Sequence, residues 1–208
     1  MTGREAMRRA AELASLAPQS RVLPNPPVGC VLLKGRRIVG EGWHRAWGGR
    51  HAEAEALRAA GRHARGAEAY VTLEPCGHHG KTPPCSEALV EAGVRAVTYA
   101  EIDANRSTRG KGPATLRAAG IAVRRAFSSA ATRRLLLRYR SHLGARRPWL
   151  IAKWAMTLDG KLATVAGDSR WISGAPSRAW SHEQLRGRVD VVIVGAGTVR
   201  SDDPALTN

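Results

Sequence analysis

Apolar and polar positions alternate along the first 125 residues with two periods, one helical and one of strands. Residues 4–17 set Met7, Ala10, Leu13 and Ala14 on one face of a helix. The segment PNPP at 24–27 interrupts that pattern with an extended loop. VGCVLLKGRRIVGEGWH then predicts a β-hairpin, two apolar strands about a Lys34–Gly35 turn. Residues 51–60 predict a helix that stops near Gly61, and 69–73 a short buried strand. A loop from Glu74 to Pro84 leads into the helix CSEALVEAG, with Gly93 as its stop signal. A strand at 94–100, a helix over GPATLRAAG and the segment IAVRRA follow. Strands and helices in this order predict an α/β sandwich around a mixed sheet.

Arg124–Gly144 includes a further predicted helix, carrying Leu136, Tyr139, Leu143 and many arginines. Ala145–Pro148 reads as a domain boundary, after which the pattern restarts. PWLIAKWAMTLDGKLA, GDSRWISG, a helix at 176–186 and a buried strand DVVIVG follow in turn. The expected division is a domain over 1–145 and a second, partial one over 149–208. No internal repeat is visible.

The chemistry lies in the first domain. HAEAEAL begins at His51, and LEPCGHHGKTPPC ends at Cys85. Together they supply one imidazole and two thiols, from His51, Cys76 and Cys85, and a carboxyl group at Glu53. Zinc takes tetrahedral nitrogen and sulfur ligands, and a catalytic site keeps its fourth position for water. Glu53, two residues past the imidazole, is then free to shuttle protons. His51 and Cys85 at helix starts sit in partial positive charge, which favours thiolate over thiol. An HxE pair alone is an ordinary helix face, and two cysteines nine apart are weak evidence. Their combination across a helix, a strand and a second helix start is strong.

Composition changes this picture little. The chain carries 33 basic and 17 acidic side chains, a formal net charge of +16. Residues 1–148 hold 26 basic and 11 acidic of these, and eight arginines without an acid fall between Arg124 and Arg147. Such a balance attracts nucleic acid or a phosphorylated metabolite. With 28 arginines to five lysines, however, a solvated Arg-covered helix accounts for most of the excess, and no specific nucleic-acid partner is expected. Three cysteines, an odd count, argue against a disulfide framework and for a reducing cytoplasm. Cys30, in VGCVLL, reads as a small buried hydrophobe. No apolar run approaches a membrane span, and the N-terminus is an amphipathic helix rather than a secretory signal.

HAEAEAL…TLEPCGHHGKTPPC resembles the cytidine-deaminase-like superfamily. The eight residues GHHGKTPP between the second and third ligands, PNPPVG at 24–29, GEGWH ending at His44 and DANRSTRGKG at 103–112 resemble its riboflavin-biosynthesis deaminases. That resemblance implies a three-layer cytidine-deaminase-like sandwich binding one Zn2+. The implied reaction is hydrolytic deamination of 2,5-diamino-6-(5-phosphoribosylamino)pyrimidin-4-one. Asn25, His44, His78, Lys81, Asp103 and Asn105 would contact base, ribose or phosphate. Arg106 departs from the family, which usually has proline there.

RPWLIAKWAMTLDGKLAT, GDSRWISG and LRGRVDVVIVGAGTVRSDDPALT resemble the start of the family's reductase half. That half has a dihydrofolate-reductase-like α/β fold and uses NADPH. By the match, Ala155, Trp171, Thr198 and Asp202 would line the NADPH site, and Lys153, Ser169, Arg186 and Leu206 would face the sugar substrate. About sixty residues of such a domain are present, so the chain reads as truncated and is not expected to reduce the deaminated product. The family reading expects a homo-oligomer acting on a small phosphoribosylated pyrimidine, away from membranes. Two other readings use the same residues. One is a tRNA or nucleoside deaminase with the arginines as its nucleic-acid patch. The other is a structural zinc module closed by Cys30, His78 or His79 as a fourth ligand.

Overall fold

The hairpin forms from β1 (Gly29–Lys34) and β2 (Arg37–Trp43), paired antiparallel, with its turn at residues 35–36, one position later than the residue pattern suggests. The structure is a computed structural model that describes residues 1–17, 19–145, 148–186, 189 and 191–206. The chain divides into two units, Met1–Trp149 and Leu150–Asn208.

In the first unit, β1 and β2 join β3 (Glu68–Leu73), β4 (Ala96–Glu101) and β5 (Ala122–Arg125) in a five-stranded sheet of order β2-β1-β3-β4-β5. β1 runs antiparallel to β3, whereas β3, β4 and β5 are parallel, so the sheet is mixed as expected. Alternation along β1 shows why the molecule has three layers. Val31 and Leu33 pack with Met7, Ala10 and Leu13 of α1 (Gly3–Ser15). Cys30 and Leu32 face the other way and pack with Ala52 and Ala56 of α3 (Ala52–Ala60) and with Leu89 of α4 (Cys85–Glu91). The side-chain period of two sends successive residues to opposite faces, each covered by helices. α5 (Lys111–Ala118) adds Leu116 to the second core. A short helix, α2 (Gln19–Val22), lies where the sequence predicts no element.

α1 is held at its start by a capping box. Glu5 N–H donates to Thr2 Oγ1 at 3.3 Å, and Thr2 N–H donates to Glu5 Oε2 at 2.7 Å. α3 lies close over β2 because Gly42 has no side chain: a Cβ there would fall 2.4 Å from the Ala52 carbonyl oxygen. That close approach brings His51, at the N-cap of α3, beside His44, just past β2, with ring centroids 5.3 Å apart.

The Arg-rich stretch forms two helices where one is expected, α6 (Ala130–Leu135) and α7 (Leu137–Ala145). The break falls at Leu136, which is 1% exposed and plugged into the core. Several of its arginines have structural partners. Arg140 lies 3.4 Å from buried Glu101, Arg125 donates to the Ala100 carbonyl at 3.2 Å, and Arg124 donates to Thr98 at 2.9 Å. Arg146 and Arg147, at the expected boundary, lie outside the described residues.

The second unit departs from expectation. It forms α8 (Ala175–Gln184) and α9 (Ala196–Asp202), but no strand among its described residues. The apolar run DVVIVG at 190–195 is expected as a buried strand; Val191 and Ile193 are instead exposed. A strand exists only with a partner for its backbone hydrogen bonds, and no described segment of this unit pairs with that run. Asp190, at the start of the run, lies outside the described residues.

Candidate metal centre and active-site cavity

Three segments converge at one end of the sheet. His51 caps α3, Cys76 follows β3, and Cys85 opens α4. His51 Nδ1 lies 3.5 Å from Cys76 Sγ and 3.3 Å from Cys85 Sγ, and all three donor atoms fall within 4.8 Å of one another. A tetrahedral zinc with ordinary bond lengths separates its nitrogen and sulfur ligands by about 3.6 Å. The spacing and the donor chemistry therefore fit zinc. Among the described residues the cluster contains these three groups alone. Cys30 is buried in the core, and His79 lies 3.4 Å from Glu87. Neither joins the cluster, nor does His78, so the three donors leave a tetrahedral position open.

Backbone contacts hold the ligand loop. Cys85 N–H donates to Cys76 Sγ at 3.2 Å, and Ser86 N–H donates to the Cys76 carbonyl at 3.1 Å. Gly112, in the first turn of α5, presses on the same loop; a Cβ there would meet the Pro75 carbonyl oxygen at 1.8 Å. The thiols are electrostatically unequal. Hydrogen bonding from Cys85, joined by His51, draws Cys76 down to about 4. The same bond to Cys76, together with burial, pushes Cys85 up.

Glu53 lies in the first turn of α3, 3% exposed. Burial pushes its carboxyl up to about 7; the Cys76 charge adds to the rise and His51 opposes it. A carboxyl near neutrality, buried beside the His51–Cys76–Cys85 donor cluster, suits proton transfer in both directions.

The cluster opens into a cavity of about 350 Å³. Its lining includes Asn25, His44, His51, Glu53, Cys76, His78, Lys81, Asp103 and Asn105, so it gathers all six residues expected to contact substrate. His44 is 2% exposed, and its Nδ1 is 3.0 Å from the Arg50 carbonyl oxygen. A carbonyl only accepts, so Nδ1 carries the proton, and Nε2 accepts from the Asn25 amide at 3.3 Å. Burial pushes His44 down, which keeps the ring neutral. Lys81 Nζ sits 3.4 Å from the ring centroid of Trp47.

The cavity also contains residues that sequence reasoning does not single out. Glu74 lies between the end of β3 and Cys76, and its Oε1 accepts N–H bonds from Asp103 at 3.0 Å and Gly110 at 3.1 Å. Trp47, Thr108, Tyr139, His142 and Leu143 complete other walls. Glu74 stands inside the LEPC motif itself. The helical spacing of Tyr139, His142 and Leu143 marks one face of α7 but does not say what it covers.

The residues expected at a reductase site lie in the second unit. Lys153, Ser169, Trp171, Thr198, Asp202 and Leu206 are exposed, whereas Ala155 and Arg186 are half-buried. Trp171 carries the Arg178 guanidinium 4.0 Å from its ring centroid, and Arg186 donates to the Ala205 carbonyl at 3.2 Å.

Comparison with known proteins gives two family matches. Residues 2–101 match the cytidine and deoxycytidylate deaminase zinc-binding region, and residues 148–208 match the RibD C-terminal domain. The chain is 45% identical over 202 residues to the riboflavin biosynthesis protein RibD of Synechocystis, covering 97% of this chain and 54% of that protein. It is 46% identical over 184 residues to RibD of Aquifex aeolicus, covering 88% and 51%. Among solved structures it is similar to a diaminohydroxyphosphoribosylaminopyrimidine deaminase/5-amino-6-(5-phosphoribosylamino)uracil reductase from Thermotoga maritima. That match has a TM-score of 0.88 and 41% identity, over 97% of this chain and 58% of the other. RibD of Acinetobacter baumannii gives a TM-score of 0.86 at 41% identity, over 98% and 57%. The chain spans about half the length of the curated relatives it matches. No helix among the described residues is long and apolar enough to cross a membrane.

Proposed function

The chain belongs to the RibD family of riboflavin biosynthesis proteins, and on that footing we propose that its first unit is a zinc-dependent deaminase. Its substrate on this reading is 2,5-diamino-6-(5-phosphoribosylamino)pyrimidin-4-one. Water replaces the ring amino group, leaving a carbonyl and releasing ammonia. The observation that carries the proposal is the cavity itself, lined by His51 and Cys76 of the three-donor cluster, by Glu53, and by Lys81, Asp103 and Asn105.

His51, Cys76 and Cys85 would hold a zinc ion, which would supply Lewis acidity and an acidified water near neutral pH. Glu53 accepts a proton from the attacking water and delivers it to the ring nitrogen, then takes the proton of the newly added hydroxyl as the carbonyl forms and delivers it to the departing amine. Neutral His44 holds the Asn25 amide through Nε2, which leaves the Asn25 oxygen to read a ring donor. Asp103 and Asn105 suit ribose hydroxyls. Lys81 is a point charge matched to a phosphate, and the face of Trp47 keeps it at the cavity wall.

The second unit, on the same reading, is part of a reductase. Ala155, Trp171, Thr198 and Asp202 are its proposed NADPH contacts, and Lys153, Ser169, Arg186 and Leu206 its proposed substrate contacts. A cytoplasmic homo-oligomer belongs to this reading as well; the three free cysteines support the reducing compartment.

A substrate panel tests the assignment. The phosphoribosylated diaminopyrimidine should be deaminated in preference to dCMP and to tRNA adenosine. Lys81→Ala should raise KM for it by about tenfold or more, the scale of one charge-assisted contact, and should change KM little for the dephosphorylated compound. Faster turnover of dCMP or of tRNA would contradict the proposal, as would equal Lys81→Ala effects with and without the phosphate.

A further inference from the structure

The segment 102–110, between β4 and α5, carries Asp103 and Asn105, and its polar groups are largely satisfied from within. Asp103 Oδ1 accepts the Asn105 N–H at 2.9 Å, and Oδ2 accepts the Thr108 hydroxyl at 2.7 Å. Asn105 Oδ1 accepts from Ser107 N–H at 3.1 Å and from its hydroxyl at 2.8 Å. Glu74 ties Asp103 and Gly110 by their N–H groups. One further tether reaches in from a different element. Tyr139 of α7, 6% exposed, donates its hydroxyl proton to Asp103 Oδ1 at 2.7 Å.

A carboxylate offers about four acceptor positions. Asn105, Thr108 and Tyr139 occupy three of them, which leaves one, on Oδ2, for a ligand. Two of the three donors belong to the loop and move with it, so they cannot fix the loop against the rest of the cavity. The Tyr139 hydroxyl can, because α7 is anchored independently. Leu136 at its start is fully buried, and Arg140 lies against Glu101 of β4. Phenylalanine would fill the same space, so packing does not account for the hydroxyl. A buried hydroxyl is costly unless bonded, and here its proton is committed to the residue that holds the remaining acceptor.

We propose that Tyr139 is a positioning residue: its hydroxyl fixes the Asp103 carboxyl, and with it the 102–110 loop, so that the remaining Oδ2 acceptor meets a sugar hydroxyl of the substrate. The identity of that ligand rests on the deaminase reading above; the tether does not. It follows that the second helix of the Arg-rich stretch, besides lining the cavity, acts on the substrate site through the Tyr139 hydroxyl.

The test uses Tyr139→Phe in the zinc-loaded 208-residue chain. Amide hydrogen exchange at 103–110 should accelerate by roughly tenfold, the scale of one lost hydrogen bond to a charged group, while β3 and β4 amides keep their wild-type rates. In the deamination assay KM should rise by a similar factor, with kcat within about twofold. In an Asp103→Ala background the same change should alter KM by less than about twofold, because the two groups act as one. Unchanged loop exchange would overturn the proposal. So would faster exchange spread equally through β3 and β4, which would make Tyr139 a core residue only. If the wild-type chain releases no ammonia from the diaminopyrimidine, the deaminase reading fails, and loop exchange still decides whether Tyr139 is the tether.

Discussion

Glu53→Gln is expected to leave the zinc content at one per chain and to lower kcat for deamination by roughly a hundred- to ten-thousand-fold, the range of a general acid–base group. The upper end is the better expectation, since on the proposed reading Glu53 serves more than one proton transfer in each turnover. Glutamine keeps the shape and removes the transferable proton. Glu53 is buried beside the ligand cluster but is not part of it, so metal binding should not change. Zinc by atomic absorption and ammonia release, measured on the same sample, check both halves. A zinc-free variant would make Glu53 a ligand, and near-normal turnover would remove it from the chemistry.

Cys76→Ser and Cys85→Ser should each lose both metal and activity. A serine hydroxyl stays protonated near neutral pH and is a poor zinc ligand, whereas Cys76 already favours the thiolate. Cys76→Ser also weakens the acceptor for the Cys85 N–H, which holds the loop against α4. Loss of an outer-shell partner costs metal sites about 10- to 100-fold in affinity, so loss of a ligand should exceed about a hundredfold. Cys30→Ala is the control. Cys30 is fully buried in the core between the sheet and α3, so its replacement should lower thermal stability and leave zinc and turnover intact. Titration with a chromophoric chelator separates the three variants. A zinc-free Cys30→Ala protein, or a zinc-replete Cys85→Ser protein, would reassign the thiols.

The first unit is legible in the sequence because its cores are written in short periods. Met7, Ala10 and Leu13 repeat at helical spacing, and Cys30 to Leu33 alternate between two covered faces. The clustering of His51, Cys76 and Cys85 is legible for a related reason: His51 and Cys85 mark helix starts, and Cys76 follows a strand. What cannot be read are contacts made by closure of the chain. Tyr139 meets Asp103 across 36 positions and Glu74 meets Gly110 across 36, and no local period records such a pair. The Arg-rich stretch reads as one helix because Leu136 fits a helical stripe as well as it fits the plug at a break. In the second unit the apolar run at 191–194 has strand composition but no described pairing partner. Composition alone does not supply the partner that a strand needs.

The central claim, a zinc-dependent deaminase acting on a phosphoribosylated diaminopyrimidine, is most directly tested by product stoichiometry on the wild-type chain. Zinc-loaded protein should release one ammonia for each 5-amino-6-(5-phosphoribosylamino)uracil formed. A strong chelator should stop the reaction, and added zinc should restore it. Uracil product and ammonia in equal amounts, both lost and regained with the metal, is the predicted result; no ammonia from the zinc-replete chain, or turnover that chelation leaves untouched, would contradict it.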